Sequence, residues 1–233
     1  MRIAALSNVE HVAWEGELEP LGEEVMFKGI GGDETARVTL GQPEQWAPEL
    51  ALESQTGKKW APPAGDRKYT LLRLACTLHP PADQHTRYTR ATLQVYLSPQ
   101  QGIGLPIAHD LYPLKLSVED KGKRTITLGP ELKFGTVDIK LLEVGAELEF
   151  VKSFATIEGF GLGESQPYWR FAHHAARPLL GSQAVYLVLA APTDAGGVRL
   201  SAGLDATLET RWGPLRVGTP QSARDALVWT VGV

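Results

Sequence analysis

Alternation of apolar and polar side chains is the dominant pattern in this sequence. Residues 87–98 and 198–210 carry apolar side chains at nearly every second position, with polar side chains between them. Side chains on a β-strand point to opposite faces in turn, so a period of two buries one face of a sheet and exposes the other. The same pattern on an α-helix would spread the apolar residues around the helix. The two segments are therefore predicted to be long, half-buried strands.

Other segments with strand character occur along the rest of the chain. Residues 69–78 and 184–191 are apolar on much of both faces, which is typical of strands buried between layers. Further strands are predicted at residues 24–29, 35–40, 114–119, 124–128, 136–142 and 227–233. The apolar positions then change from odd to even numbers near Glu143, which indicates a β-bulge or a turn. A helical turn or two is predicted only at residues 47–54 and 170–180.

Turn-forming residues separate these segments. The chain contains 24 Gly and 16 Pro, and many of them stand in clusters such as Pro62-Pro63 and Pro80-Pro81. Strands about 10–12 residues apart, divided by turns of this kind, are typical of layered β-proteins. The sequence therefore predicts an all-β fold, an antiparallel β-sandwich with jelly-roll or immunoglobulin-like layers and few or short helices.

Three parts of the chain are distinguished by their patterns. Residues 1–40 are predicted to form an N-terminal β-hairpin unit that packs on the main body, and residues 68–233 the main sandwich domain. Residues 41–67 are rich in Pro, Trp and Gln and connect the two. This segment is either a linker or a stretch packed across the body. Trp46 and Trp60 favour the packed arrangement, because exposed indole rings are uncommon without a role.

Composition and charge exclude several classes of protein. The chain is 43% hydrophobic and 21% charged, as expected for a folded protein. It has no apolar run near ~18 residues, so no transmembrane segment is predicted. A net charge of −4 argues against nucleic acid as a partner. The single cysteine, Cys76, excludes an internal disulfide. The first residues lack the apolar core of a signal peptide, so we expect a cytoplasmic, prokaryotic protein.

Motifs for catalysis or cofactor binding are absent from the sequence. None of the six histidines has the spacing of a metal site, so no metal is predicted. The glycine-rich residues 159–163 are followed neither by a helix nor by the GK[ST] of a phosphate-binding loop, and no GxSxG occurs. Glu147 and Glu149 share the polar side of one predicted strand. The sequence therefore predicts no cofactor and favours a protein that is not an enzyme.

One segment, residues 159–182, combines aromatic residues and arginines with Gly and Pro. Trp, Tyr and Arg are the side chains enriched at the energetic centres of interfaces. The candidate binding residues are Tyr168, Trp169, Arg170, Phe171, His173, His174 and Arg177. The alternative is that the aromatic side chains close the core of the sandwich.

Three functional hypotheses follow from these observations. The first is a non-enzymatic β-sandwich that binds a protein partner, associates with itself, or serves as an accessory or assembly subunit of a complex through residues 159–182. The second is a hydrolase or carbohydrate-active β-protein that uses carboxylates or histidines. The third is a membrane-perturbing pore former, in which residues 136–151 and 198–210 would cross the bilayer, since strands of ~9–11 residues suffice.

Overall fold

The computed structural model describes residues 2–3, 11–20, 36–53, 59–119, 124–127, 153–212, 215–222 and 227–232. Its strands, in chain order, are β1 (Arg2–Ile3), β2 (Val12–Glu17), β3 (Glu19–Pro20), β4 (Arg37–Gly41), β5 (Glu44–Trp46), β6 (Leu52–Glu53), β7 (Arg67–Leu78), β8 (Thr86–Pro99), β9 (Ile107–Tyr112), β10 (Lys115–Glu119), β11 (Arg124–Thr127), β12 (Ser153–Phe160), β13 (Tyr168–Ala172), β14 (Gly181–Pro192), β15 (Val198–Trp212), β16 (Leu215–Ser222) and β17 (Leu227–Val231). One short helix, α1 (Pro48–Ala51), lies between β5 and β6.

Two large antiparallel sheets contain most of the described strands. The larger sheet has nine strands in the order β11-β10-β12-β13-β8-β15-β16-β3, with β17 also paired to β15. The smaller sheet has six strands in the order β2-β4-β7-β14-β9, with β5 also paired to β7. Side chains from both sheets share one apolar core. The prediction of an all-β, antiparallel sandwich is confirmed.

The period of two in the sequence explains the centre of the larger sheet. Strands β8 and β15 pair along most of their length, and Leu93 lies opposite Leu204 on the core side. The intervening positions, such as Gln94 and Gly203, lie on the outer face of the same sheet. This arrangement buries one continuous apolar face and leaves the opposite face polar.

Strands β7 and β14 of the smaller sheet are buried on both faces. Leu72 and Leu187 pair on the core side, whereas Leu71 and Val188 pair on the outer side and are also fully buried. Residues 44–53 and Trp60 cover that outer side, in a second apolar cluster. These residues belong to the predicted connecting segment 41–67, and they pack on the smaller sheet. The division of the chain into domains stays a prediction.

Three predictions about the secondary structure are wrong or fall on residues that the structure does not describe. The helical turn predicted at residues 170–180 is wrong, because β13 occupies its start and a tight turn follows. The alternating burial of Trp169 and Phe171 in the core requires a strand there. The hairpin predicted from residues 24–40 lies mostly outside the described residues, as does the change of pattern near Glu143. Among the described strands, β4 pairs with β2 and with β7.

Close packing between strands β12 and β13 gives a testable consequence. A Cβ atom on Gly159 would lie 3.1 Å from Nε1 of Trp169 and 3.2 Å from the carbonyl oxygen of Pro113. We expect Gly159→Ala to lower the free energy of unfolding by about 1–3 kcal/mol, because backbone and a buried ring must move apart. Urea unfolding measures this change. Gly203→Ala is the control, since its Cβ would meet no described atom within 4 Å. Equal losses in both variants would contradict the packing argument.

Candidate functional site

Two loops form one end of the sandwich, and we call residues 100–106 and 161–167 together the loop end. The second loop is fixed by backbone hydrogen bonds to both sheets. The N–H of Leu97 in β8 donates to the carbonyl of Ser165 at 2.8 Å, and the N–H of Ala108 in β9 donates to the carbonyl of Glu164 at 2.8 Å. Gly163 donates in return to the carbonyl of Ala108 at 2.7 Å. These bonds close the sandwich at this end.

Glycines allow both loops to turn sharply. Gly102 has a φ of 75°, and Gly161 and Gly163 have φ values of 83° and 80°, all in the left-handed region that favours glycine. Each loop therefore presents a single apolar residue between two glycines, Ile103 in the first loop and Leu162 in the second. The side chains at these tips lie outside the core.

Apolar side chains are unusually exposed at the loop end. Ile103 is 97% exposed, Leu105 58% and Leu162 44%. Single exposed apolar residues are common on protein surfaces, whereas a group of them on adjacent loops marks a contact surface. Water-exposed side chains of this kind gain free energy when another apolar phase covers them.

A shallow cleft lies beside these tips. It has a volume of about 380 Å³ and is lined by Leu105, Ile107, Gly163, Glu164, Ser165 and Gln166. Arg67 fixes one wall, since its guanidinium donates to the carbonyl of Leu105 at 3.4 Å and to that of Ala190 at 3.3 Å. The cleft therefore combines apolar side chains with one exposed carboxylate, that of Glu164.

An aromatic group flanks the loop end on the side of the smaller sheet. The rings of Tyr69 and His109 lie 5.1 Å apart, and Trp60 lies 5.4 Å from Tyr69 and 6.3 Å from His109, all edge to face. His109 is the neighbour of Ala108, which binds the second loop. All three rings are half-buried. The edge-to-face geometry is the one that aromatic rings favour.

The structure divides the seven candidate binding residues among different environments. Tyr168 and Arg170 lie on the outer face of the larger sheet, where the ring of Tyr168 stacks on Phe160 with centroids 4.8 Å apart. The Arg170 guanidinium lies 5.2 Å from the centre of the same Phe160 ring, a cation–π contact. Trp169 and Phe171 alternate with them and are fully buried in the core. Trp169 and Phe171 therefore lie where the alternative interpretation expected them, in the core of the sandwich.

The remaining three candidates lie in the turn after β13. His174 and Arg177 exchange backbone hydrogen bonds of 3.2 and 2.9 Å, which close the turn. The His174 ring packs 5.3 Å from Phe154, and Nδ1 of His173 accepts a bond from the N–H of Leu179 at 3.4 Å. The seven residues do not form one surface, and their role in binding stays a prediction.

The surroundings of His173 make stability depend on pH. Partial burial, together with the charges of Arg87 and His174, lowers the pKa of His173, against a smaller opposing effect of Glu209. The unfolded chain, with a pKa of about 6.5, therefore takes up a proton more readily than the folded chain. Stability is expected to fall as the pH drops through about 6.5 and to level off below the folded-state pKa.

A histidine substitution tests this pH dependence. We expect His173→Asn to reduce the loss of stability between neutral and mildly acidic pH, because asparagine carries no titrating group there. Thermal unfolding as a function of pH measures the effect. His85→Asn, at an exposed loop position, serves as the matched control. An unchanged pH profile in His173→Asn would show that other groups cause the acid sensitivity.

The seven candidate residues predicted from the sequence do not include those of the loop end, although residues 161–167 fall within the predicted binding segment 159–182. Ile103, Leu105 and Leu162 follow no strand or helix period, and exposure is not visible in a sequence. The signal that was present is an isolated apolar residue between glycines, in Gly102-Ile103-Gly104 and Gly161-Leu162-Gly163. Such a residue is held at a turn, where neighbouring side chains cannot cover it.

Comparison with known proteins gives little further information. No family model matches the chain, and no curated protein does. Among the described residues, no helix is long and apolar enough to cross a membrane.

Solved structures with a weak similarity were found. They include a structure described as a pore forming protein (8% identity, TM-score 0.27, covering 87% of this chain and 86% of the other). Another is the Clostridium perfringens NetB toxin in its membrane-inserted form (9% identity, TM-score 0.27, covering 95% of this chain and 94% of the other). A third is Clostridium perfringens delta-toxin (8% identity, TM-score 0.28, covering 86% of this chain and 93% of the other). Similarity at this level establishes neither a common fold nor a common function.

Proposed function

We propose that the protein attaches to the surface of a lipid bilayer through the loop end and then permeabilises the bilayer. The observation that carries the proposal is the exposure of Ile103, Leu105 and Leu162 on two adjoining loops. Fully burying one such side chain gains about 1.5–3 kcal/mol. Apolar side chains that reach the boundary between headgroups and acyl chains bind a membrane in this way.

Charges at the loop end favour one kind of bilayer. The exposed guanidinium of Arg67 lies beside the cleft, but Glu164 and Asp194 are exposed carboxylates near the tips, and the chain as a whole has a net charge of −4. An anionic membrane would repel these groups, so attachment depends on apolar burial into zwitterionic lipid. The half-buried rings of Trp60 and Tyr69 suit the headgroup level, where amphipathic rings accumulate.

Co-sedimentation with phosphatidylcholine vesicles tests attachment. We expect the protein to bind these vesicles equally at low and at high salt, because screening weakens charge interactions but not apolar burial. Vesicles with added phosphatidylserine should bind less at low salt. Failure to bind phosphatidylcholine vesicles, or binding that needs anionic lipid, would contradict the proposal.

Permeabilisation is proposed from the sequence of residues 136–151. These residues lie outside the described part of the chain, between β11 and β12, and β11 is the outermost of the described strands on one side of the larger sheet. Apolar and polar residues alternate along both of their halves, as in membrane-crossing strands of ~9–11 residues. Residues 198–210, the other segment considered for this role, form the centre of the larger sheet in β15.

Release of a trapped dye from the same vesicles tests permeabilisation. Wild-type protein is expected to release the dye, and Val144→Asp, which charges the apolar side of the alternating segment, is expected to bind the vesicles without releasing it. The control is Glu147→Gln, on the polar side of the same alternating segment. Dye release by Val144→Asp at the wild-type rate would exclude a role for this segment.

A second candidate function is association of the chain with itself or with a protein partner. The observation that favours it is the outward-facing group of Phe160, Tyr168 and Arg170, residue types that interfaces enrich. Light scattering after size-exclusion chromatography tests self-association. An oligomer that dissociates in Arg170→Ala would support it, whereas a monomer at all concentrations would leave no role for self-association on this face.

A further inference from the structure

A gap interrupts the outer face of the larger sheet at Gly203. Gly203 lies opposite Gln94 of β8, and a Cβ atom placed on it would meet no atom of the described residues within 4 Å. Glycine in the middle of a strand weakens the strand unless something approaches the backbone closely. The φ of Gly203 does not require glycine, since it lies outside the left-handed region. Among the described residues, nothing covers the Gly203 backbone on this face, and we call the space above it the opening.

Polar side chains around this opening are held in one orientation. The Tyr96 hydroxyl donates to Oε1 of Gln94 at 2.8 Å, and Nε2 of Gln94 donates to Oδ2 of Asp205 at 2.8 Å. Ser201 and Asp205 are two residues before and after Gly203 on the same strand, so they share its face. Gln94, Tyr96 and Asp205 are thus positioned before any ligand arrives, which reduces the entropic cost of binding.

The chemistry of these groups indicates what the opening can bind. It offers the carboxylate of Asp205, the amide of Gln94 and the hydroxyl groups of Ser201 and Tyr96. Tyr96 is 44% exposed, so its ring is accessible. Carboxylate and amide oxygens accept hydrogen bonds from hydroxyl groups, and an aromatic ring covers the apolar face of a ring-shaped ligand. Phosphate or another anion would be repelled by Asp205. The set is complementary to a neutral molecule that carries several hydroxyl groups on a compact ring.

We propose that the outer face of the larger sheet binds a neutral pyranose sugar over Gly203, with Tyr96, Gln94 and Asp205 as its contacts. The sugar ring lies against the bare backbone of Gly203. Its hydroxyl groups donate to Asp205 and exchange hydrogen bonds with Gln94. This site is distinct from the loop end and does not depend on the membrane proposal.

Titration of the ¹⁵N-labelled protein with the methyl glycosides of galactose, glucose and mannose tests this site. The resonance of the Gln94 side-chain amide is expected to shift with at least one of them, and sorbitol, an open-chain polyol, is expected to leave it unchanged. A glycan array then extends the search to larger sugars. No shift with any glycoside, together with no array glycan bound, would overturn the proposal.

Filling the opening provides the decisive variant. Gly203→Val places a side chain where the sugar would lie, and valine suits a strand, so the variant should fold at least as well as wild type. Its dissociation constant for the sugar is expected to rise more than tenfold, and that of Asp205→Ala likewise. Gly232→Val is the control, since a Cβ there also meets nothing within 4 Å in the part of the chain that the structure describes. Sugar binding that survives in Gly203→Val would place the sugar elsewhere and overturn the proposal.

The same variants separate this site from the membrane proposal. Gly203→Val is expected to bind phosphatidylcholine vesicles as wild type does, because vesicles of this lipid carry no sugar. Replacement of Ile103 is expected to leave the Gln94 shift unchanged. A basic peptide that shifts Gln94 where the glycosides do not would identify Asp205 as a cation-binding group and reject the sugar.

Discussion

Replacing Ile103 and Leu105 together with serine is expected to reduce partitioning onto phosphatidylcholine vesicles by roughly 100-fold. Each apolar side chain that leaves water contributes about 1.5–3 kcal/mol when fully buried, and about 1.4 kcal/mol changes an equilibrium tenfold. Both side chains lie largely in solvent, so their removal should leave the free energy of unfolding within about 0.5 kcal/mol of wild type. Co-sedimentation over a range of lipid concentrations measures the partition coefficient.

The matched control for this substitution is Val12→Ser with Val228→Ser. These side chains are 59% and 58% exposed, and neither belongs to the loop end. The control variant is expected to bind vesicles as wild type does. A similar loss in both variants would mean that exposed apolar area in general, and not the loop end, governs attachment.

Replacing Trp169 with alanine is expected to lower the free energy of unfolding by about 3–5 kcal/mol, the range for truncating a large buried aromatic residue. The Trp169 side chain is fully buried between the sheets. Its indole Nε1 has no hydrogen-bond partner among the described residues. Chemical unfolding in urea measures the change in stability.

Trp169→Phe separates the contribution of packing from that of the polar atom. Phenylalanine fills much of the same space and removes an unpaired N–H, whose burial costs free energy. We therefore expect a loss clearly smaller than that of alanine. If both variants kept wild-type stability, Trp169 would not be a core residue, and the hypothesis that it binds a partner directly would regain its support.

Periodicity made the sandwich predictable. The alternation at residues 198–210 corresponds to the core side of β15, from Val198 to Leu208. The same alternation explains the positions of residues 168–171, because neighbouring side chains on a strand point to opposite faces. Since Trp169 and Phe171 face the core, Tyr168 and Arg170 face outward. A dense group of aromatic residues in the sequence therefore indicated a strand, half of which belongs to the core.

The surfaces proposed as sites were not predictable in the same way. Ile103 and Leu162 lie on loops, where no period relates position to exposure. The opening at Gly203 depends on the register of β8 against β15, which places Gln94 opposite a residue 109 positions further along the chain. Register between distant strands is a property of the folded protein, so a single sequence does not reveal which polar residues meet.

A fluorescent label on the loop end shows whether this surface enters the bilayer. The only native cysteine, Cys76, is buried, so Ile103→Cys can be labelled selectively with an environment-sensitive dye. With phosphatidylcholine vesicles, emission from position 103 is expected to shift to the blue and to be quenched by lipids that carry a quencher near the headgroup. Gln84→Cys, in an exposed loop before β8, should report no change. A dye at position 103 that stays in water while the protein sediments with vesicles would contradict attachment through the loop end.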